Sequence, residues 1–295
     1  MKTISSSISQ AERASALSLA GPIVVSLTLF LVVVALRSIE VFVPGLDALP
    51  DKSIVSKVLG FLLVLVYLWA LRKPVSAIGL HARHFDKAFL IGGLSLIILY
   101  ATLYAVQFYR LSSAGEAPRL VFAVINKETL VLGGLSFTLF HLFGQIVNAF
   151  MEESIFRGLM LPHLMRRFRF WQANVLQAFL FGLAHLVWPL INWIRGQSTA
   201  EEALASAAAL LIFTTVGGLV FGYLYYRTDN LWTALFAHLI DNMVGLFFHV
   251  QTASRLNAET DILTLASVGF LALVVLAWAV AKCSNLPTLK PWEAN

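Results

Sequence analysis

The stretch NAFMEESIFRGLML, residues 148–161, closes a long apolar run and carries Glu152, Glu153 and Arg157. Ionisable side chains at bilayer depth are costly, so they normally face a protein interior and mark a working site. Similar apolar runs lie on both sides of this stretch. The sequence therefore predicts a membrane protein whose chemistry is located on this helix.

Composition places the chain in the membrane class. Its 295 residues are 59% apolar and 13% charged, whereas a soluble domain would carry roughly 25% charged residues. The net charge of +5 would suggest nucleic acid binding in a soluble protein. Here the basic residues form short clusters between apolar runs, where they orient helices, and we expect no nucleic acid partner. The single cysteine, Cys283, excludes a disulfide framework and a cysteine-rich metal site.

Eight apolar runs have the roughly 20 residues that a membrane span needs. They predict an all-α, polytopic membrane helical bundle of about eight transmembrane helices, with the site in a cavity of the bundle. The first run follows a polar, serine-rich leader without a cleavage site, so we interpret it as a retained helix. The runs cover residues 20–43, 53–71, 87–109, 129–161, 171–194, 203–226, 231–250 and 262–282.

Loop charges predict the orientation of these helices. Basic residues dominate before the first run and in the second and fourth loops, whereas loops one, five and seven lean acidic. Because an excess of Lys and Arg marks the cytoplasmic side, both termini should be cytoplasmic. The basic residues are Lys2, Arg13, Arg72, Lys73, Arg83, Lys87, Arg166, Arg167 and Arg169.

The two adjacent glutamates have different neighbours on their helix. Glu153 lies four residues before Arg157, and a bidentate Arg–carboxylate pair is the natural way to neutralise a buried glutamate. We therefore expect Glu152 to be unpaired and left for a water or a substrate. The alternative is a buried ion network of all three side chains without chemistry. Glu152 also shares one stripe of its helix with three other polar residues, His141, Gln145 and Asn148.

A histidine on the fifth run is placed to meet Glu152. His185 follows Phe181 at i,i+4 in FLFGLAHLV, residues 179–187. Glu152 and His185 each lie about 16 residues from the middle of the intervening turn, near Phe168, so an antiparallel hairpin would bring them to the same depth.

The seventh run carries a second polar pair. His238 and Asn242 lie at i,i+4 in FAHLIDN, residues 236–242, with His249 further along. Interhelical hydrogen bonding is the alternative use for such residues in membranes. We expect Asp241, displaced from this face, to anchor the helix to a neighbour, and the Asp229–Asn230 loop to supply the N-cap.

These residues suggest two kinds of chemistry. In one, Glu152 is a general base that deprotonates water, while His238 and Asn242 donate hydrogen bonds to the developing oxyanion. In the other, Glu152, His185 and His238 hold zinc or another divalent metal ion. The usual His-Glu-x-x-His string is absent, and the residues alone leave both open.

Three motifs over about residues 125–250 resemble those of the CPBP family, the Abi or CAAX-protease-like intramembrane proteases related to the type II CAAX prenyl endopeptidase. The flanks, 1–124 with about three helices and an interfacial loop and 251–295 with one helix and a short tail, look like ordinary variable segments around this catalytic core. The motifs are Glu152-Glu153-x-x-x-Arg157, Phe181-x-x-x-His185 and His238-x-x-x-Asn242.

The resemblance implies a role for each motif residue. Glu152 is similar to the family's water-activating glutamate, and Glu153 with Arg157 to its supporting acid and buried arginine. His185 is similar to the second-motif histidine, and His238 with Asn242 to the pair assigned to oxyanion stabilisation. The family is often labelled a metalloprotease, although a mechanism without obligatory metal is also argued for it.

We therefore expect an integral protein of a bacterial cytoplasmic membrane that acts as an intramembrane endopeptidase. It would hydrolyse a peptide bond of a membrane-associated protein or peptide. One alternative is a catalytically silent scaffold or bacteriocin-immunity-type protein. Another is a proton-coupled transporter, which the lack of repeats weakens. The sequence does not reveal the substrate or the oligomeric state.

Overall fold

The structure of the protein is a computed structural model that describes residues 21–39, 53–126, 131–259 and 266–293. Lys2 and Arg13, the acidic first loop and the C-terminal Asn295 lie outside the described residues. The predicted location of both termini therefore stays a prediction. The described part is mostly helical, with four short strands.

Most of the helices follow the predicted apolar runs closely. The longest is an interrupted helix, α4, that begins at Leu135 and ends at Met165. The other helices are α1 (Gly21–Ile39), α2 (Ile54–Ala70), α3 (Phe85–Ser113), α5 (Phe170–Ala184), α6 (Val187–Ile194), α7 (Ala200–Thr228), α8 (Leu231–Phe247) and α9 (Ala266–Cys283).

Four of the described helical segments are long and apolar enough to cross a membrane: α1, α3, the α5–α6 pair and α7. The predicted count of eight spans is not confirmed. Helices α2 and α8 are apolar but only 17 residues each, and α4 interrupts its apolar sequence with the polar stripe and the charged motif.

Helix α4 changes its hydrogen-bonding pattern at the motif. It is α-helical up to Glu152, π-helical over Glu153–Met160 and α-helical again from Leu161. A π-helical turn widens the helix and is frequent at functional sites. Every residue of the π-helical segment is buried, so the motif faces protein on all sides.

Two small antiparallel sheets lie at one end of the bundle and were not predicted. Strand β1 (Arg119–Phe122) pairs with β4 (Phe248–Gln251), and β2 (Ile125–Asn126) pairs with β3 (Val131–Leu132). Because β4 begins at Phe248, α8 ends three residues before the end of its predicted apolar run, 231–250. His249 therefore lies on a strand, where its Nδ1 is 2.8 Å from Glu259 Oε1.

Helices α5 and α7 pack closely against each other beside Arg157 of the motif. A Cβ atom on Gly222 would lie 1.9 Å from Asn174 Oδ1, and one on Gly218 would lie 2.9 Å from Ala178 Cβ. Only glycine lets the two helices approach so closely. This approach places aromatic rings from both helices next to Arg157.

Helix α8 closes the site from another side, and its start follows the prediction. Asn230 Oδ1 accepts a hydrogen bond from the backbone N–H of Trp232, so Asn230 is the expected N-cap. The predicted anchor is also confirmed, since the Tyr100 hydroxyl of α3 donates to Asp241.

Candidate active site

The second glutamate of the motif forms a fully buried ion pair. Arg157 Nη1 donates to Glu153 Oε1 at 3.0 Å, and neither side chain is exposed. The Arg157 guanidinium also lies 4.3 Å from the ring centre of Phe181 and 5.5 Å from that of Phe221. The expected pairing of Arg157 with Glu153 is confirmed, and cation–π contacts add to it.

The same carboxylate holds the histidine of α8. His238 Nδ1 lies 2.7 Å from Glu153 Oε1, and its ring stacks on that of Phe221 at 5.4 Å between centres. A carboxylate only accepts hydrogen bonds, so the proton between them belongs to Nδ1. Glu153 and Arg157 thereby fix the orientation of His238.

Glu152 lies between two imidazoles from two other helices. Its Oε2 is 3.5 Å from His238 Nε2, and its Oε1 is 3.9 Å from His185 Nε2. The side chain is 2% exposed. The predicted proximity of Glu152 to His185 across the α4–α5 hairpin is confirmed, and a second imidazole, that of His238, approaches the same carboxylate.

An arginine of the first helix also reaches Glu152, and sequence reasoning missed it. Arg37 Nη2 donates to Glu152 Oε1, and Nη1 donates to the carbonyl oxygen of Ala184 at 2.7 Å. Arg37 is only 4% exposed. The expectation that Glu152 is unpaired is therefore wrong, and α1 is not merely a flank. The signal was present, since Arg37 is a charged residue inside the first apolar run.

The Nδ1 atoms of both histidines face hydrogen-bond acceptors, and this determines which ring nitrogen carries the proton. His185 Nδ1 lies 2.8 Å from the carbonyl oxygen of Phe181, and this oxygen only accepts, so the proton is on Nδ1. In the neutral form, His185 and His238 each present an unprotonated Nε2 to Glu152. His238 donates from Nε2 only when it carries a proton on both nitrogens.

Asn242 lies one helical turn beyond His238 and is half-buried. Its Nδ2 donates to Gln145 Oε1 at 3.2 Å, which links α8 to the polar stripe of α4. An asparagine amide has two N–H donors, and this hydrogen bond uses one of them. His141, one turn before Gln145, bonds instead to the backbone carbonyl of Phe137 at 3.0 Å.

The predicted metal ligands do not form a metal site. Within the described ranges, no group of three or more His, Cys, Asp or Glu side chains is arranged to hold a metal ion. One Glu152 oxygen already accepts a hydrogen bond from Arg37, and a divalent cation at this carboxylate would be repelled by the guanidinium.

This part of the chain is similar to known proteins. Residues 133–244 match the family model of the type II CAAX prenyl endopeptidase, Rce1-like. The match lies inside the 125–250 segment that carries the three motifs, and the resemblance expected from the sequence is confirmed.

Two curated relatives are similar over part of their length. A Bacillus subtilis (strain 168) protein, YdiL, provisionally described as a membrane peptidase, is 25% identical over 163 residues, which are 54% of this chain and 58% of that protein. CAAX prenyl protease 2 of Arabidopsis thaliana is 35% identical over 102 residues, 34% of this chain and 33% of the relative. The chain thus matches less than two thirds of either protein. No solved structure matches it.

Proposed function

We propose that this chain is an intramembrane endopeptidase that uses Glu152 to activate water. The observation that carries the proposal is the convergence of a buried carboxylate and two imidazole Nε2 atoms from three helices. An Rce1-like match over the same helices supports a membrane protease. A carboxylate beside two imidazoles is placed to accept a proton from a water molecule held between them.

The proposed reaction begins with a water molecule beside Glu152. Glu152 takes one proton from this water, and the unprotonated Nε2 of His185 accepts a hydrogen bond from its other hydrogen. The water oxygen then attacks the substrate carbonyl carbon and forms a tetrahedral oxyanion. When the C–N bond breaks, the protonated Glu152 returns its proton to the departing amine, which regenerates the carboxylate.

The oxyanion needs donors, and α8 supplies two candidates. Among the described residues, the Asn242 amide donates one of its two N–H groups to Gln145, which leaves the other for the oxyanion. His238 Nε2, 3.5 Å from Glu152 Oε2, becomes a donor when the imidazole takes up a second proton during the reaction. Donors placed before the reaction are typically the largest single contribution to acyl-transfer catalysis.

The first substrate class to test is a prenylated C-terminal peptide. One similar protein is named a CAAX prenyl protease, and such enzymes cleave peptides that bear a prenylated cysteine near the C-terminus. A prenyl chain would also keep the substrate in the bilayer, next to the helices that carry the site.

The experiment uses the full chain purified into liposomes, with internally quenched peptides ending in a farnesylated or an unmodified CAAX sequence. We expect cleavage by the wild type, loss of roughly 10²–10⁴ in rate for Glu152→Gln, and no loss on incubation with a chelator. Comparison of membrane peptides from cells expressing either form identifies substrates outside the CAAX class. Equal cleavage by Glu152→Gln would exclude Glu152 as the base.

A catalytically silent scaffold is the second candidate, and the ion pairs favour it. Each glutamate has an arginine partner, Arg37 for Glu152 and Arg157 for Glu153, as a purely structural network would require. In a scaffold, the wild type and Glu152→Gln would leave both the peptides and the membrane peptidome unchanged.

A further inference from the structure

The arginine that contacts Glu152 comes from outside the matched segment. Arg37 lies near the end of α1, 96 residues before the match begins at 133. Its guanidinium bridges two parts of the site, the Glu152 carboxylate on α4 and the Ala184 carbonyl at the end of α5. A buried arginine with both partners inside the candidate site is not explained by packing of a flanking helix.

The charge balance of the site depends on this arginine. Glu152, Glu153 and Arg157 together carry one net negative charge in an apolar bundle. Buried charges persist only when they are paired, and Arg157 is already engaged with Glu153. With His185 and His238 neutral, Arg37 supplies the fourth charge and makes the set neutral.

The second hydrogen bond of Arg37, to the Ala184 carbonyl, connects Glu152 to the end of α5. Ala184 is the last residue of α5, where backbone carbonyls have no partner within the helix. A cation is favourable at that helix end, and Arg37 Nη1 satisfies the Ala184 carbonyl at 2.7 Å. His185 is the next residue, so a single guanidinium fixes Glu152 relative to the backbone that carries His185.

We infer that Arg37 is a positioning residue of the active site, and that α1 is part of the catalytic unit. This inference rests on the proposed role of Glu152 as the base. Arg37 holds the carboxylate ionised and directs its second oxygen, Oε2, toward His238.

The first test needs no substrate. Thermal unfolding in detergent is compared for Arg37→Gln, Glu152→Gln and the double variant, with the exposed Arg110→Gln as a control for loss of a positive charge. Each single substitution leaves the other charge of the Arg37–Glu152 pair buried without its partner, so each should lower the unfolding temperature. The double variant should recover much of that loss. Additive losses in the double variant would show that the two side chains do not pair.

The second test measures cleavage with Arg37→Gln and Arg37→Lys. Misplacement of a reacting group by about 1 Å can cost 10²-fold, so Arg37→Gln should lower kcat by roughly 10–100-fold and leave KM within about twofold. Lysine keeps the charge and should restore part of kcat, and Arg110→Gln should match the wild type.

The two proposals fail in different ways. If the wild type cleaves and Glu152→Gln does not, but Arg37→Gln has the wild-type kcat, the inference about Arg37 is wrong and the proposed function stands. If neither the wild type nor Glu152→Gln cleaves any peptide, the proposed function is wrong and the positioning role falls with it. The thermal unfolding cycle would then still decide whether the ion pair exists.

Discussion

At the scale of single residues, adjacent glutamates acquire different roles through their partners. Glu153 is bound by Arg157 of its own helix and by His238, and has no exposure. Glu152 is bound by Arg37 of another helix and faces two Nε2 atoms. Glu153 therefore orients other side chains. Glu152, in contrast, keeps its Oε2 directed at His238 Nε2.

Arg157→Ala should destabilise the protein by about 3–5 kcal/mol, because it strands the buried charge of Glu153. It also removes the cation–π contacts to Phe181 and Phe221. The measurement is thermal unfolding in detergent and the amount of folded protein in membranes, with the exposed Arg110→Ala as the control. Unchanged stability would contradict the buried ion pair.

Asn242→Ala should reduce kcat by roughly 10²–10³, the typical loss of one oxyanion donor, with little change in KM. Its side chain is half-buried and makes one hydrogen bond, to Gln145, so the unfolding temperature should fall only slightly. Steady-state kinetics on the cleaved peptide measures both constants. A rise in KM at constant kcat would instead assign Asn242 to substrate binding.

At the scale of elements, the site depends on how closely α5 and α7 approach. Glycines of α7 face small or polar side chains of α5, and Gly218 also lies against Arg157, whose Nη2 would be 3.4 Å from an added Cβ. The aromatic rings that flank Arg157 belong to these two helices. Separation of the helices would therefore disturb the Arg157–Glu153 pair.

Gly222→Ala should destabilise the protein by about 1–3 kcal/mol, as overpacking does in a close-packed interior. Its Cβ would lie 1.9 Å from Asn174 Oδ1 and 2.9 Å from Gln177 Nε2. Gly217→Ala on the same helix is the matched control, because its Cβ would meet only Phe221 Cε2 at 3.9 Å. This control should gain up to about 1 kcal/mol from helix propensity. Unfolding curves that coincide would mean that α5 and α7 are not in close contact.

At the scale of the whole molecule, the two ends of the bundle differ in charge. One end contains the α4–α5 turn, the loop before α3 and the C-terminal segment. There the backbone N–H of Trp292 donates to the Pro162 carbonyl at 3.0 Å. The same end contains a cavity of about 260 Å³ that Lys73, Arg83 and Lys290 help to line. The small sheets and the start of α7 lie at the other end.

The basic end should face the cytoplasm, as the positive-inside rule requires. In a Cys283→Ser background, the thiol of Arg167→Cys in the α4–α5 turn should react with a membrane-impermeant maleimide only after the membrane is permeabilised. Glu201→Cys, at the start of α7, should react in intact cells. Both positions are exposed. The opposite labelling pattern would reverse the orientation without affecting the chemistry.

Features that depend on neighbours along the chain were predictable from the sequence. The pairing of Arg157 with Glu153 follows from i,i+4 spacing, the N-cap at Asn230 follows from local chemistry, and the depth of His185 follows from the length of a hairpin. Each of the three motifs spans at most six residues, so the resemblance to the family whose model matches residues 133–244 was also visible in the sequence.

Features that depend on contacts between distant segments were decided only by the tertiary structure. The pairing of Arg37 with Glu152 joins residues 115 positions apart. Helix α8 ends early because the following segment pairs as β4 with β1. Apolar periodicity shows that a segment is buried but does not show which segment covers it. The sequence shows an arginine, Arg37, inside an apolar run. Its partner, Glu152, was determined only by the packing of α1 against α4 and α5.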